Sequence, residues 1–257
     1  MNVVLVNYGA GNIKSLQFAL ERLGVDGILS SDVTEIQDAD KVIFPGVGEA
    51  SSAMMKLKES GLDLVIPKLK QPVLGICLGM QLLCDATEEG DVKGLGIVSG
   101  KVIRFSDQVK VPQMGWNTIT KLQTTLFKGI KEEDFMYLVH SYYVPLLPET
   151  IAQSDYDGAY SVALQKDNFY GVQFHPEVTH SEYGEQLLSR FVHDICGCGN
   201  NWTAQNIIDD SVAHARELVG SDHVILGLSG GVDSSVVAGL LHQAIGDQLT
   251  CIFVDNG

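Results

Sequence analysis

Basic residues are scarce: 17 Lys and Arg stand against 32 Asp and Glu, a formal charge of -15 over 257 residues. A surface of that sign repels phosphate backbones and anionic bilayers, so nucleic acid is not an expected partner. Apolar runs long enough to span a bilayer are also missing, and no membrane partner is expected. The start, Met1-Asn2-Val3-Val4-Leu5-Val6-Asn7, has no basic region, no apolar segment of signal length and no small-residue cleavage site, which makes the expected location cytoplasmic. Only five cysteines occur (Cys77, Cys84, Cys196, Cys198 and Cys251). Their odd number and irregular spacing support neither a disulfide framework nor a four-cysteine zinc site. Cys196-Gly197-Cys198 is the one close pair; with no histidine pair at ligand spacing beside it, no metal is expected.

What the chain does have is 45% hydrophobic residues, enough to bury a sizeable core, arranged as alternating strands and helices. Val3–Val6 is a short β-branched run ending at Asn7-Tyr8-Gly9-Ala10-Gly11-Asn12, where glycine suits a tight strand-to-helix turn. Ile13, Leu16, Ala19, Leu20 and Leu23 then fall on one helical face, with Gly24 placed to cap it. The pattern returns with a strand at 41–44 before Pro45-Gly46-Val47-Gly48, a helix over 49–60, and a strand at 72–76. Such alternation predicts a parallel, helix-covered sheet. Further strands are predicted at 101–105, 136–139, 161–164 and 170–174, with antiparallel pairing among them, followed by a helix over 184–195. Gly197, Gly199, Asn200 and Asn201 break that helix, placing a domain at 1–197, a linker at 198–202 and a second part at 203–257. In the second part a helix from Thr203, a strand at 224–228, a further helix and a strand at 251–254 make one βαβ unit. The expected fold class is α/β: a mixed, mostly parallel sheet followed by an incomplete βαβ nucleotide-binding fragment.

Two short motifs carry chemistry. Gly75-Ile76-Cys77-Leu78-Gly79 joins a strand to a helix, the arrangement of a nucleophile elbow with cysteine in place of serine. Small neighbours permit the strained turn that exposes the sulfur, and a following helix N-terminus favours thiolate. Taken alone, the same residues could be a buried structural cysteine between glycines. Gly171-Val172-Gln173-Phe174-His175-Pro176-Glu177 supplies the rest. Side chains two apart in extended backbone share a side, so Glu177 can hydrogen-bond His175, fix its tautomer and stabilise its charged form. Cys77, His175 and Glu177 are thus the candidate nucleophile, base and orienting carboxylate.

Together the motifs resemble class I glutamine amidotransferases. The resemblance implies a flavodoxin-like domain, glutamine as substrate, a thioester at the cysteine, release of ammonia and regeneration by water, with no cofactor required for the hydrolysis. It also implies an oxyanion hole, for which the amide of Leu78 is one candidate donor and that of Val47, in the glycine-flanked loop, the other. Up to about residue 177 the chain looks like the glutaminase-subunit family of imidazole glycerol phosphate synthase, on Asn7–Asn12, Pro45–Gly48, Gly75–Gln81, Gly94-Leu95-Gly96, Pro112–Asn117, His140–Tyr143 and Gly171–Glu177. That family implies partnership with a cyclase subunit in a heterodimer, with Gln81, Glu89, Ser141 and Tyr142 around the substrate. The subunit family usually continues with lysine where Val178 stands here. From Val178 on, the chain is instead similar to GMP synthetase, most sharply at Leu226–Ser235, which resembles a pyrophosphatase loop. In such a loop Ser229, Gly230, Gly231, Asp233, Ser234 and Ser235 would cradle the pyrophosphate of ATP. A complete synthetase runs well past this sequence, so ATP binding by the fragment is not expected to support synthetase chemistry. Two other readings stay open: a GMP synthetase fragment supplying ammonia for XMP amination, and an uncoupled binding or scaffold module.

Overall fold

The computed structural model describes residues 2–178, 183–195, 204–228 and 232–253. The chain divides into two compact units, residues 1–199 and 200–257. The expected linker at 198–202, Cys196, Cys198 and the loop residues Ser229, Gly230 and Gly231 lie outside the described residues.

The first unit is built on a seven-stranded sheet in the order 150–155, 159–166, 169–172, 73–77, 41–46, 3–6, 27–30. From Phe169–Val172 through Gly27–Ser30 neighbouring strands run parallel, whereas 150–155, 159–166 and 169–172 pair antiparallel. This is the mixed, mostly parallel arrangement the sequence predicts. Val3–Val6 and Val73–Cys77 are buried along their whole length, as strands covered on both faces must be. Period-two alternation then divides their side chains between two cores. Val3, Leu5, Ile43, Leu74 and Ile76 belong to one cluster, and Val4, Val6, Val42, Phe44 and Val73 to the other. Helix Ile13–Arg22 closes the first core with Leu16, Ala19 and Leu20, and helix Ala50–Glu59 closes the second with Ala53, Met54 and Leu57.

A four-stranded sheet (142–143, 98–104, 84–87, 92–93) and the antiparallel pair Gln113–Thr118 and Phe135–His140 complete the unit. The strand predicted at 101–105 begins earlier, at Val98, where it pairs with Cys84. The strand predicted over 170–174 ends at Val172; Gln173 still bonds the Val162 carbonyl through its N–H, and the chain then leaves the sheet and turns at Pro176-Glu177. The helix predicted over 184–195 is α-helical only for Gly184–Ser189 and continues as a π-helical turn over Arg190–Ile195. Leu187, Leu188, Phe191 and Val192 remain buried on both sides of that change.

In the second unit, strands Val224–Leu228 and Leu249–Phe253 pair in parallel around helix Val232–Ile245, preceded by helix Ala204–Val219. The Arg216 guanidinium donates to the carbonyls of Ala244 (2.7 Å) and Gln243 (2.9 Å), tying the two helices together. Ile225 and Ile252, which share one face of this pair of strands, are both exposed, so that face is largely uncovered within this unit. Among the described residues no helix is long and apolar enough to cross a membrane.

Candidate active site

Three adjacent parallel strands set the site. Gly46 pairs with Cys77, and Ile76 pairs with Pro45 on one side and Val172 on the other. The loop after Gly46, the turn at Cys77 and the segment 173–177 therefore leave the sheet at one edge, the carboxyl ends of parallel strands, where α/β folds place ligands.

Cys77 sits in a sharp turn between its strand and helix Leu78–Leu82, with φ 54° and ψ -111°, a conformation L-residues rarely adopt. Close backbone packing imposes it. A Cβ on Gly79 would stand 2.0 Å from the Phe44 carbonyl oxygen, and one on Gly46 would stand 2.5 Å from the Gly79 nitrogen. Glycine at both positions lets the turn lie directly on the neighbouring strand, which turns the sulfur toward the pocket.

His175 follows the adjacent strand and is anchored by its own N–H to the Tyr137 carbonyl (3.2 Å). Its Nδ1 lies 2.9 Å from Oε1 of the buried Glu177. A carboxylate accepts, so Nδ1 carries the hydrogen and Nε2 is the atom left for proton exchange with the sulfur. Burial pulls the imidazole down, but hydrogen bonds to Cys77 and Glu177 and their charges outweigh it and hold it up, at about 10. His140, close by, shows the opposite balance. Burial depresses it to about 4, and Nδ1–H donates to the Tyr142 carbonyl at 2.8 Å, so this ring is neutral at ordinary pH.

Cys77 and His175 open on a pocket of about 340 Å³ lined also by Val47, Gly48, Leu78, Gln81, Glu89, Ser141, Tyr142 and His140. Gln81 is buried and its Nε2 donates to the Tyr142 carbonyl (2.8 Å) and to Gln173 Oε1 (2.9 Å). Gln173, fully buried, in turn points Nε2 at Cys77 Sγ (3.6 Å). Glu89 accepts from the Ala50 N–H (3.0 Å), and burial raises its carboxyl above the ordinary range. Gly48 has φ +98° with open space around it, and the buried Tyr8 hydroxyl donates to the Pro45 carbonyl (2.9 Å) at the start of the same loop.

Every first-unit residue singled out from the sequence thus borders the pocket or, like Glu177, stands directly behind it. His140, Val139 and Pro112, which also border the pocket, and Gln173, which reaches Cys77, were not singled out as site residues. Gln173 had a usable signal, since it lies two residues before His175. In the second unit Ser234 and Ser235 fall on helix Val232–Ile245, while the Asp233 side chain, like the loop before it, lies outside the described residues. Among the described residues no three His, Cys, Asp or Glu side chains converge as a metal-ligand set.

Comparison with known proteins identifies the family of the first unit. Residues 4–195 match the family model for class-I glutamine amidotransferases. Residues 204–254 match the model described as NAD synthase, where the motifs pointed to GMP synthetase. The imidazole glycerol phosphate synthase subunit HisH of Bacteroides fragilis (strain YCH46) is 53% identical over 195 residues, 75% of this chain and 99% of that protein. Its counterpart from Haemophilus influenzae (strain ATCC 51907) is 44% identical over 197 residues, 76% and 98% of the two chains. A Thermoplasma acidophilum chain described as belonging to a GMP synthase shares the fold at a TM-score of 0.60 and 23% identity, over 77% of this chain and 94% of that one. A solved glutamine amidotransferase does so at 0.61 and 19%, over 77% and 100%. The chain belongs to the class-I glutamine amidotransferase family, within its branch of imidazole glycerol phosphate synthase HisH subunits.

Proposed function

We propose that Cys77, His175 and Glu177 hydrolyse glutamine to glutamate and ammonia, and that the ammonia passes to a cyclase subunit for imidazole glycerol phosphate synthesis. The observation that carries this is His175, held by Glu177 at 2.9 Å and hydrogen-bonded to a cysteine in a strained turn at the floor of the pocket. The substrate's side-chain amide carbon lies over the sulfur, with its head group among Gln81, Glu89, Ser141 and Tyr142. His175 takes the thiol proton through Nε2 and the sulfur attacks the amide carbon. The amide N–H groups of Leu78 and Val47 receive the oxyanion. The imidazolium then gives its proton to the departing nitrogen, the C–N bond breaks, and ammonia leaves a thioester behind. Water, deprotonated by His175, attacks the thioester. The C–S bond breaks, glutamate leaves and the thiol is restored. Glu177 stabilises the imidazolium in both halves and takes no proton itself. No cofactor enters any of these steps.

The loop from Pro45 to Gly48 suits control by a partner. Its upstream end is pinned by Tyr8, and its downstream end by the Ala50 N–H on Glu89. Gly46 is packed against Gly79 and Leu78, whereas Gly48 has open space around it, so the loop can reorient on the Gly48 side of Val47. A docking surface lies on the hairpin that also supplies Val139 and His140. Met114, Trp116 and Phe135 are exposed there along one face, a stripe of large apolar side chains of the kind that marks a protein interface. Measuring glutamate release with and without a cyclase subunit tests the reading. Stimulation by the cyclase is expected, and equal rates would detach the chain from this pathway.

For the second unit we propose a nucleotide-binding remnant, supported by its parallel βαβ geometry. Titration of the whole chain with ATP tests it: saturable binding supports the remnant, and none removes it.

A further inference from the structure

Gln173 is a fully buried polar side chain that the mechanism above does not use. It directly follows the strand whose Val172 pairs with Ile76, so it stands level with Cys77 on the neighbouring strand. Its backbone N–H is tied to the Val162 carbonyl (2.9 Å), which fixes where the side chain starts. The orientation of its carboxamide is fixed from the other end of a hydrogen-bond chain. The Tyr142 carbonyl can only accept, so the Gln81 atom 2.8 Å from it must be the nitrogen. That same nitrogen lies 2.9 Å from Gln173, which must therefore present its oxygen there. The Gln173 nitrogen is left facing Cys77 Sγ, at 3.6 Å. A flipped amide would set two donors against each other between buried side chains.

We propose that Gln173 is a positioning residue for the nucleophile, holding the Cys77 sulfur with an N–H donor that a backbone carbonyl in the substrate-pocket wall orients through Gln81. This rests on Cys77 being the nucleophile. An N–H donor interacts far more strongly with a thiolate than with a thiol, so it favours the attacking form and favours it again when the thioester breaks and the sulfur leaves with its electron pair. It also holds the sulfur's rotamer while the His175 ring exchanges protons with the substrate. The chain from Tyr142 through Gln81 and Gln173 to Cys77 makes the pocket wall and the nucleophile one connected unit, since Tyr142 also borders the substrate.

The test uses the full chain and two substitutions. Gln173→Glu keeps an oxygen for Gln81 but replaces the donor at sulfur with an acceptor. Gln173→Met removes the donor with an unbranched side chain that cores accommodate, and serves if the glutamate variant fails to fold. Each is compared with wild type and Cys77→Ala for alkylation by iodoacetamide at pH 7, for kcat and KM with glutamine, and for thermal melting. In a folded variant, alkylation of Cys77 and kcat are expected to fall together by about tenfold, with KM within about twofold of wild type. A purely structural role would lower the melting temperature without slowing alkylation. Wild-type alkylation rates in folded Gln173 variants, with Cys77→Ala inert, would overturn the role of Gln173 alone. Full activity in Cys77→Ala would instead overturn the nucleophile on which it rests.

Discussion

His175 Nδ1 and Glu177 Oε1 stand 2.9 Å apart across a single proline, with Glu177 buried and His175 facing the pocket. The two residues lie in the turn that follows the strand, and the His175 N–H on the Tyr137 carbonyl holds that turn in place. Replacing Glu177 with Gln keeps the size and removes the charge that holds the imidazole as a cation. A fall in kcat of at least about 100-fold is expected, with little change in KM. Glutamate release measures it, and a variant within a few-fold of wild type would deny Glu177 its orienting role.

The same interactions make a statement about pH. Burial opposes the charged imidazole, but Cys77 and Glu177 together lift His175 to about 10 from an ordinary 6.5. A group raised on folding contributes stability that is fully present below pH 6.5 and is lost as pH climbs through about 10. Removing the sulfur in Cys77→Ala takes away both a hydrogen bond and a charge interaction. The imidazole of that variant is then expected to titrate at lower pH than in wild type, and the alkaline loss of stability to be smaller and to be complete at a lower pH. Histidine NMR titration of both proteins checks the order. An unchanged midpoint would show that the thiol does not hold the proton.

Two glycines around the site separate crowding from backbone strain. Gly79→Ala would drive a Cβ to 2.0 Å from the Phe44 carbonyl oxygen, a backbone atom that cannot step aside. The turn must then lift off the strand, costing about 3 kcal/mol and displacing Cys77. Gly48→Ala meets nothing within 4 Å but must hold φ near +98°, a cost of about 1 kcal/mol. Thermal melts should show a large loss for the first and a small one for the second. In the Gly48 variant glutaminase activity should fall further than stability, because the loop loses its freedom to turn.

Trp116 is more than half exposed on the hairpin beside the pocket, edge-on to Tyr137 at 5.3 Å between ring centres. If the apolar stripe is where the cyclase docks, Trp116→Ala weakens association by about 30-fold, equivalent to about 2 kcal/mol, and leaves the free chain's melting temperature within a degree or two. Isothermal titration with the cyclase subunit reads both the affinity and the heat. Wild-type affinity would move the interface elsewhere.

What can be read from the sequence divides by distance along the chain. Cys77 is visible because its glycine spacing is local, and His175 with Glu177 because they stand two residues apart; the pair forms as expected, but through a turn at Pro176-Glu177 and not through extended backbone. The parallel sheet is visible in the repeated strand, glycine turn and helix. Gln173 stands two residues before His175, as Glu177 stands two after it. It escapes notice because an amide carries no titratable chemistry and its partners, Gln81 and Cys77, lie 92 and 96 residues away. His140 and Pro112 reach the pocket only through pairing of 113–118 with 135–140, a tertiary event that leaves no mark on local spacing. The π-helical turn over Arg190–Ile195 is hidden because apolar residues at 187, 188, 191 and 195 fit an α-helix equally well.

The most direct measurement is glutamate release from glutamine by wild type and Cys77→Ala, each with and without a cyclase subunit. Release by wild type that rises with the cyclase, and none by the alanine variant under either condition, is the expected result. Release that persists in Cys77→Ala, or that is missing from wild type even with the cyclase present, would contradict the assignment of Cys77 as the nucleophile of a partner-coupled glutaminase.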